Sequence, residues 1–362
     1  MSSPELEQRE YQIEAVKKVL DAFMAGKESV LLESPVGSGK TIMGLMVVQR
    51  LQEVFHEEFK VNWVATRRHI LQQTRQMNET WFNLKLNTVS VFDPNPPQAD
   101  LVILDEAHHE ATQSCLNLYE KVRNKRTLGL SATPLRTDKM RLSFQTHVHT
   151  TSIQRLIDED VLADFYSYKI DDWKPESVAQ IFCQYQEQWG KSLVFFHTIN
   201  ECEQFRDLLA VKDIPCEVIT SKTNRDEQLE QFVLGAFPVI ANVNIFCEGF
   251  DLPELRTVFI RDASRLPTIQ MAGRGLRKSA SKDHCNFIQS QLAPYQVEKI
   301  AKPERSFVHR KNVWLSRSGD TQAIVEALEK TEERLRIYEE EHPVSSEGKF
   351  VYSAYKKIAV RL

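Results

Sequence analysis

Ser34-Pro35-Val36-Gly37-Ser38-Gly39-Lys40-Thr41 is the stretch on which the reading of this chain turns. The apolar run Val30-Leu31-Leu32 precedes it as a short buried strand. Ile42 to Leu51 follows with helical apolar spacing, so the glycines sit on a strand-to-helix turn. At such a turn backbone N–H groups and a helix N-terminus both face an anion. Gly37, Ser38 and Gly39 would bring the backbone up to phosphates, Lys40 would reach the β- and γ-phosphates of a nucleotide, and the Thr41 hydroxyl would ligate Mg²⁺. The first glycine usual in such a loop is Ser34 here.

Upstream, Arg9-Glu10-Tyr11-Gln12 opens a helical pattern carried by Ile13, Val16, Val19 and Leu20. A glutamine amide both donates and accepts, so Gln12 can read an adenine edge while Tyr11 or Arg9 lies against the base. Downstream, Val61-Asn62-Trp63-Val64-Ala65 is a second buried strand that ends in Thr66-Arg67, with a helix from Ile70 onward. A hydroxyl, a guanidinium and a helix start suit a nucleic-acid phosphate, or simply a solvated helix start. Leu101-Val102-Ile103-Leu104 runs into Asp105-Glu106-Ala107-His108. A carboxylate at that strand end beside a phosphate loop holds Mg²⁺, which assigns Asp105 to the metal and Glu106 to the attacking water. Thr127 to Leu130 is a further strand, and the Ser131 and Thr133 hydroxyls after it are placed to bond the acidic loop around His108 and relay nucleotide state.

The second half repeats the alternation of strand and helix. Strands are expected at Ser192 to Phe196, Cys216 to Ile219, Val239 to Val243 and Val258 to Ile260. Between the halves, Thr137 to about Trp173 is polar, with a bridging helix at Ile153 to Ile157. Arg274 and Arg277 lie three apart, which on a helix puts two guanidiniums on one face. Arginine supplied from a second domain to a γ-phosphate is an arginine finger.

Taken in order, Arg-x-Tyr-Gln, Gly-Ser-Gly-Lys-Thr, Thr-Arg, Asp-Glu-Ala-His and Ser-Ala-Thr resemble the first motor domain of superfamily 2 helicases of the DEAD/DEAH-box kind. Glu248-Gly249-Phe250-Asp251-Leu252-Pro253 and Gln270-Met271-Ala272-Gly273-Arg274-Gly275-Leu276-Arg277 resemble its second motor domain. Their wording is most similar to the XPB/RadD branch, which includes restriction-enzyme motors and phage branch-migration helicases. The resemblance runs from about Arg9 to Arg277. It implies an α/β protein of two tandem RecA-like domains, over 1–150 and 151–297, with a short C-terminal extension over 298–362. It further implies ATP and Mg²⁺ between the domains, with Gly249, Asp251 and Gln270 at the nucleotide, and nucleic acid on Thr66, Arg67, Ser221 and Lys222. The activity implied is ATP-driven translocation or unwinding of duplex or branched DNA by a monomer. Two rivals stay open: an RNA helicase of the DEAH type, and a nucleotide-gated clamp without productive turnover. Two parts of the family pattern are missing: a second strand-contacting motif between Thr80 and Asp105, and the C-terminal zinc-binding part of some relatives.

Glu298 to Arg317 mixes Lys299, Lys302, Arg305, Arg310, Lys311 and Arg317 with Phe307 and Trp314. Cations interleaved with aromatic rings suit a nucleic-acid strand, or a solvated basic loop whose rings are buried. A helix follows over Thr321 to Glu341, with Ile324, Leu328, Leu335 and Tyr338 on one face. The 362 residues, 42% hydrophobic and 27% charged, have the composition of a globular protein with room for two cores. No apolar run reaches membrane-spanning length and the polar start is unlike a signal peptide, so a cytoplasmic protein is expected, a phage protein in its host included. Six scattered cysteines form no Cys-x-x-Cys pair, which argues against a zinc site or disulfide framework. The net charge of −4 rules out a globally basic coat but leaves room for a local basic groove.

Overall fold

Short apolar runs that end in glycine-bearing or acidic loops bury both faces only as parallel strands covered by helices. The computed structural model describes residues 6–55, 58–135, 140–243, 252, 254–310 and 312–316. They group into two units, one up to Leu162 and the other from Ala163.

The first unit contains α1 (Glu10–Met24), β1 (Ser29–Glu33), α2 (Lys40–Phe55), β2 (Val61–Ala65), α3 (Arg68–Met77), β3 (Asn87–Ser90), β4 (Leu101–Asp105), α4 (Gln113–Val122), β5 (Arg126–Ser131), β6 (Thr146–His149) and α5 (Ile153–Asp158). Its sheet has the order β3-β2-β4-β5-β1-β6 and every pair is parallel. Val30, Leu31 and Leu32 of β1 and Leu101 to Ile103 of β4 are fully buried, each contributing about 1.5–3 kcal/mol of hydrophobic stabilisation. Register decides function here. Glu33 lies opposite Ser131, Leu130 opposite Asp105, and Leu104 opposite Val64. The C-terminal ends of β1, β5, β4 and β2 therefore share one edge, where ligands of open parallel sheets bind.

The second unit contains β7 (Asp164–Ile170), α6 (Pro175–Gln184), α7 (Gln186–Trp189), β8 (Ser192–Phe195), α8 (Ile199–Ala210), β9 (Cys216–Ile219), α9 (Arg225–Val233), β10 (Val239–Asn242), β11 (Thr257–Ile260), α10 (Arg265–Gly275), β12 (His284–Ser290), β13 (Arg305–Arg310) and β14 (Val313–Ser316). Its order is β14-β13-β7-β12-β11-β8-β10-β9, parallel except for the β13–β14 hairpin. A capping box starts α8: the Glu201 N–H donates to Thr198 Oγ1 at 3.2 Å, and the Thr198 N–H donates to the Glu201 carboxylate at 2.7 Å.

Two boundaries differ from the sequence reading. Thr150 N–H donates to Glu33 O at 3.0 Å and α5 packs with the first unit, so that unit runs on to Leu162 rather than stopping at 150. β13 and β14, read as part of an extension, complete the second sheet. The helix expected over Thr321 to Glu341 lies outside the described residues. Among the described residues no helix is long and apolar enough to cross a membrane.

Candidate nucleotide site

Beyond β1, the Ser34 N–H donates to Ser131 O at 2.9 Å, and the chain then turns through Gly37 (φ +81°) and Gly39 (φ +82°). Both angles lie in the left-handed region that glycine adopts without steric cost. Space demands glycine as well. A methyl on Gly39 would come within 2.6 Å of Gln12 Nε2, and one on Gly37 within 2.8 Å of Leu162 Cδ2. Ser34 replaces the usual first glycine by closing the loop with its hydroxyl, 2.5 Å from Ser38 Oγ and 2.7 Å from Thr150 Oγ1. The Lys40 ammonium folds over the loop and donates to Ser34 O and Pro35 O, both at 3.2 Å. Thr41, half-buried, stands in the first turn of α2.

Behind the loop, Tyr11 Oη donates to Ser38 O at 2.7 Å and Gln12 Nε2 to the same carbonyl at 3.0 Å. Gln12 Oε1 accepts the Arg9 N–H at 3.0 Å. Both ends of the Gln12 amide are thus bonded within the first unit. Tyr11 does not offer an open face: its ring is 2% exposed and its hydroxyl anchors the loop.

Asp105 ends β4 with both carboxylate oxygens held. Oδ1 accepts the Glu106 N–H at 3.0 Å and Oδ2 accepts Trp63 Nε1–H at 3.2 Å. Burial and the neighbouring Glu106 charge push its carboxyl up to about 7, against the pull of Lys40 and of the two hydrogen bonds. A buried carboxyl poised there fits a divalent cation, whose charge would bring it back to the ionised form. Glu106 takes a left-handed backbone (φ 55°, ψ 54°), unfavourable for a side-chain-bearing residue, and its Oε2 lies 3.4 Å from His108 Nδ1. His108 is buried, its ring centroid 4.2 Å from that of His109.

Trp63 is the site residue that motif reading passes over. Its ring packs so closely on α2 that a methyl on Gly44 would meet Cη2 at 2.6 Å, while its N–H orients the Asp105 carboxylate. A tryptophan at the centre of a fully buried strand is itself a signal, because its N–H needs a partner.

Other expected residues are placed differently. Ser131 Oγ accepts the Thr133 N–H at 3.2 Å and Thr133 Oγ1 donates to Leu135 O at 3.2 Å, so both hydroxyls bond within their own turn rather than to the acidic loop. Arg274 is buried in the last turn of α10, but Arg277 lies beyond its end, so the two do not share a helical face as expected. At the helix end Gly275 O accepts from the Lys282 ammonium at 2.7 Å and Leu276 O from the Ala163 N–H at 2.8 Å. Gln270 is half-buried on α10. Thr66 and Arg67, the latter at the N-cap of α3, are half-buried, whereas Ser221 and Lys222 are exposed after β9. Lys302, Arg305 and Arg310 are exposed. Arg305 lies 5.3 Å over the Tyr166 ring, and Arg310 pairs with Asp171 and donates to Gln291 Oε1 at 3.0 Å. Phe307 and Trp314 are not an open stacking path: Phe307 stacks on Tyr168 at 4.9 Å and both pack on the second core. Gly249, Asp251 and Lys311 lie outside the described residues.

Residues 5–94 and 92–136 match the family described as "Type III restriction enzyme, res subunit", and residues 173–279 match "Helicase conserved C-terminal domain". The chain belongs to the superfamily 2 helicases, of the restriction-enzyme and phage type. It is 26% identical to the Saccharomyces cerevisiae protein that carries the name ATP-dependent helicase IRC3, over 77% of this chain and 51% of that one. To the type I restriction enzyme EcoAI endonuclease subunit of Escherichia coli it is 22% identical, over 74% of this chain and 44% of the other. The chain thus spans about half the length of these curated relatives. The solved structure of the ATP-dependent type ISP restriction-modification enzyme LlaBIII bound to DNA has the same fold, with a TM-score of 0.60 at 17% identity, covering 85% of this chain and 29% of that one. Helicase domains of this family imply the use of ATP.

Proposed function

We propose that this chain is the motor of an ATP-driven DNA translocase or helicase, working as a monomer on duplex or branched DNA in the cytoplasm. Unwinding or branch migration in recombination, repair or replication is the task that fits it. The observation that carries this is the carboxylate pair Asp105 and Glu106 on the same sheet edge as the glycine-bearing loop, near enough to Lys40 for its charge to act on Asp105. A neighbour of this fold captured on DNA favours DNA over RNA as partner.

MgATP, when bound, supplies the phosphoanhydride whose cleavage drives the cycle. Lys40 would exchange its loop carbonyls for phosphate charge, Thr41 and Asp105 would hold the metal, and Glu106 would orient the attacking water and take its proton. Arg9 and Gln12 read the base. Arg274 and Arg277 supply cationic charge to the hydrolytic step, with Gly249, Asp251 and Gln270 at the nucleotide. Thr66, Arg67, Ser221 and Lys222 contact the DNA backbone, so sequence preference is weak. His108 shares the Glu106 carboxylate and is the coupling residue with a direct contact to the acidic loop.

ATP-driven displacement of streptavidin from a biotinylated duplex end tests translocation. Displacement with ATP and none with a non-hydrolysable analogue is expected; DNA binding with neither ATP turnover nor displacement would leave a nucleotide-gated clamp.

Trp63→Phe removes the donor to Asp105 and keeps an aromatic, though smaller, ring in the strand, so thermal melting first checks that the variant is folded. A hydrogen bond to a charged group is worth ~1.5–3 kcal/mol, so the Mg²⁺ concentration needed for half-maximal nucleotide binding should rise roughly tenfold or more. Metal-free ATP binding should not change. Equal Mg²⁺ dependence in the two proteins, measured by titrating a fluorescent ATP analogue, would remove Trp63 from the site.

A further inference from the structure

At the edge of the first sheet opposite the phosphate loop, the starts of β1 and β5 and the ends of α1 and α4 enclose an open cavity of about 710 Å³. A five-residue strand separates the two edges by ~17 Å, so this cavity is no part of the nucleotide site. Lys27, Arg123, Lys125 and Arg126 line it, with Glu28 as its one carboxylate. Among the described residues none of the four cations has a carboxylate within 4.0 Å. In a chain of net charge −4, four unpaired cations against one acid invert the local sign.

Basic residues at helix ends have an ordinary explanation in the helix dipole, which favours a cation at a C-terminus by ~0.3–1 kcal/mol. That covers Arg123, next after α4, and Lys27, close after α1. It does not cover Lys125 and Arg126 at the start of β5.

The cavity also has a built floor. Gln145 Oε1 accepts the Glu28 N–H at 2.9 Å, the Gln145 N–H donates to Ser29 Oγ at 3.1 Å, and Asn124 Nδ2 donates to Arg126 O at 2.7 Å and to Thr127 Oγ1 at 2.9 Å. An independent feature points to the class of ligand. The Arg126 guanidinium lies 5.2 Å over the Phe55 ring, which stacks on Phe59 at 5.4 Å and 20° and is 37% exposed. Cations beside a stacked, partly open aromatic pair suit a strand that offers both phosphates and flat bases. An acidic peptide would use the cations but has nothing for the stack.

We propose that this cavity is a second phosphate site, which takes the backbone of a nucleic-acid strand at the edge of the first unit remote from the nucleotide. It rests on the assignment of the chain as a nucleic-acid motor.

The test is the combined variant Lys27→Gln, Arg123→Asn, Lys125→Gln and Arg126→Gln, with asparagine at 123 because that residue sits at φ 52°. Binding of labelled duplex and single-stranded DNA is measured across a salt series, with ATP binding as control. Every phosphate that the variant no longer neutralises should flatten the slope of log affinity against log salt by ~0.9 on duplex and ~0.7 on single strands, up to about 3.6 and 2.8 for four phosphates. ATP binding should not change. An unchanged slope in the folded variant overturns the site. If the combined variant does not fold, Lys27→Glu with Lys125→Glu, both on exposed side chains, gives the same readout. Loss of poly-glutamate binding with an unaltered DNA slope also overturns the proposal and makes the cavity a dock for an acidic protein. A wild-type protein that binds no nucleic acid at any salt sinks the motor assignment along with this site, whereas a DNA-binding wild type with a matching variant slope sinks the site alone.

Discussion

Lys40→Ala is expected to abolish ATP turnover and to weaken ATP binding, whereas Glu106→Gln should keep ATP bound and turn it over slowly. The contrast follows from where the two side chains act. Lys40 is a compact charge folded over the loop on Ser34 O and Pro35 O, placed to meet a phosphate held by that loop. Glu106 is set apart by its left-handed backbone and by His108 at 3.4 Å, an arrangement for aiming a carboxylate rather than for binding a phosphate. Removal of a positioned general base costs typically 10²–10⁴-fold in rate, so the expected loss for Glu106→Gln is about 10³-fold with little change in affinity. Turnover by Glu106→Gln at the wild-type rate would show that another group activates the water. Equilibrium binding of a fluorescent ATP analogue beside steady-state turnover separates the two outcomes.

The second large effect belongs to Arg274 and Arg277. Replacing either with alanine should lower the rate by ~10³-fold or more if it stabilises charge developing in the transition state, while ATP affinity changes little. Arg274 is buried, so a loss of activity through unfolding must be separated from a loss of chemistry. Thermal melting of Arg274→Ala and of Arg274→Lys does this. A folded lysine variant that keeps the charge but loses most of the rate supports a guanidinium acting by geometry as well as charge. Either alanine variant, folded and fully active, would take that arginine out of the hydrolytic step.

Much of this site is legible in the sequence because its chemistry is local. The loop Ser34 to Thr41 and the acids after β4 are each bordered by an apolar strand that announces them. What stays hidden is what depends on partners far along the chain. Trp63 and Asp105 are 42 residues apart, and nothing in either segment names the other. The strand Asp164–Ile170 reads as a polar connection because Lys169 stands in it, yet Lys169 is 2% exposed. Its ammonium lies 2.8 Å from Glu298 Oε2, and Ser167 Oγ donates to Glu298 Oε1 at 2.6 Å. Burial alone would raise the Glu298 carboxyl, but the Lys169 charge and these hydrogen bonds outweigh it and hold it below the ordinary range.

The stretch 298–317 was ambiguous for a related reason. Its composition suits a nucleic-acid path or a solvated loop equally. Only the parallel pairing of β13 on β7, which sets Phe307 opposite Tyr168, turns its aromatic residues into core and leaves Arg305 and Arg310 at the surface. The end of α10 likewise involves partners outside the helix, since Lys282 and the Ala163 N–H bond the Gly275 and Leu276 carbonyls there.

The most direct test of a DNA motor built on these residues is steady-state ATP turnover by the wild-type chain with no nucleic acid, and then with duplex DNA, forked DNA, single-stranded DNA or RNA at equal phosphate concentration. Duplex or forked DNA should stimulate turnover most, RNA should stimulate little, and Lys40→Ala should be inactive throughout. Stimulation by RNA above every DNA would make the chain an RNA motor, and turnover that no nucleic acid changes would contradict a nucleic-acid motor altogether.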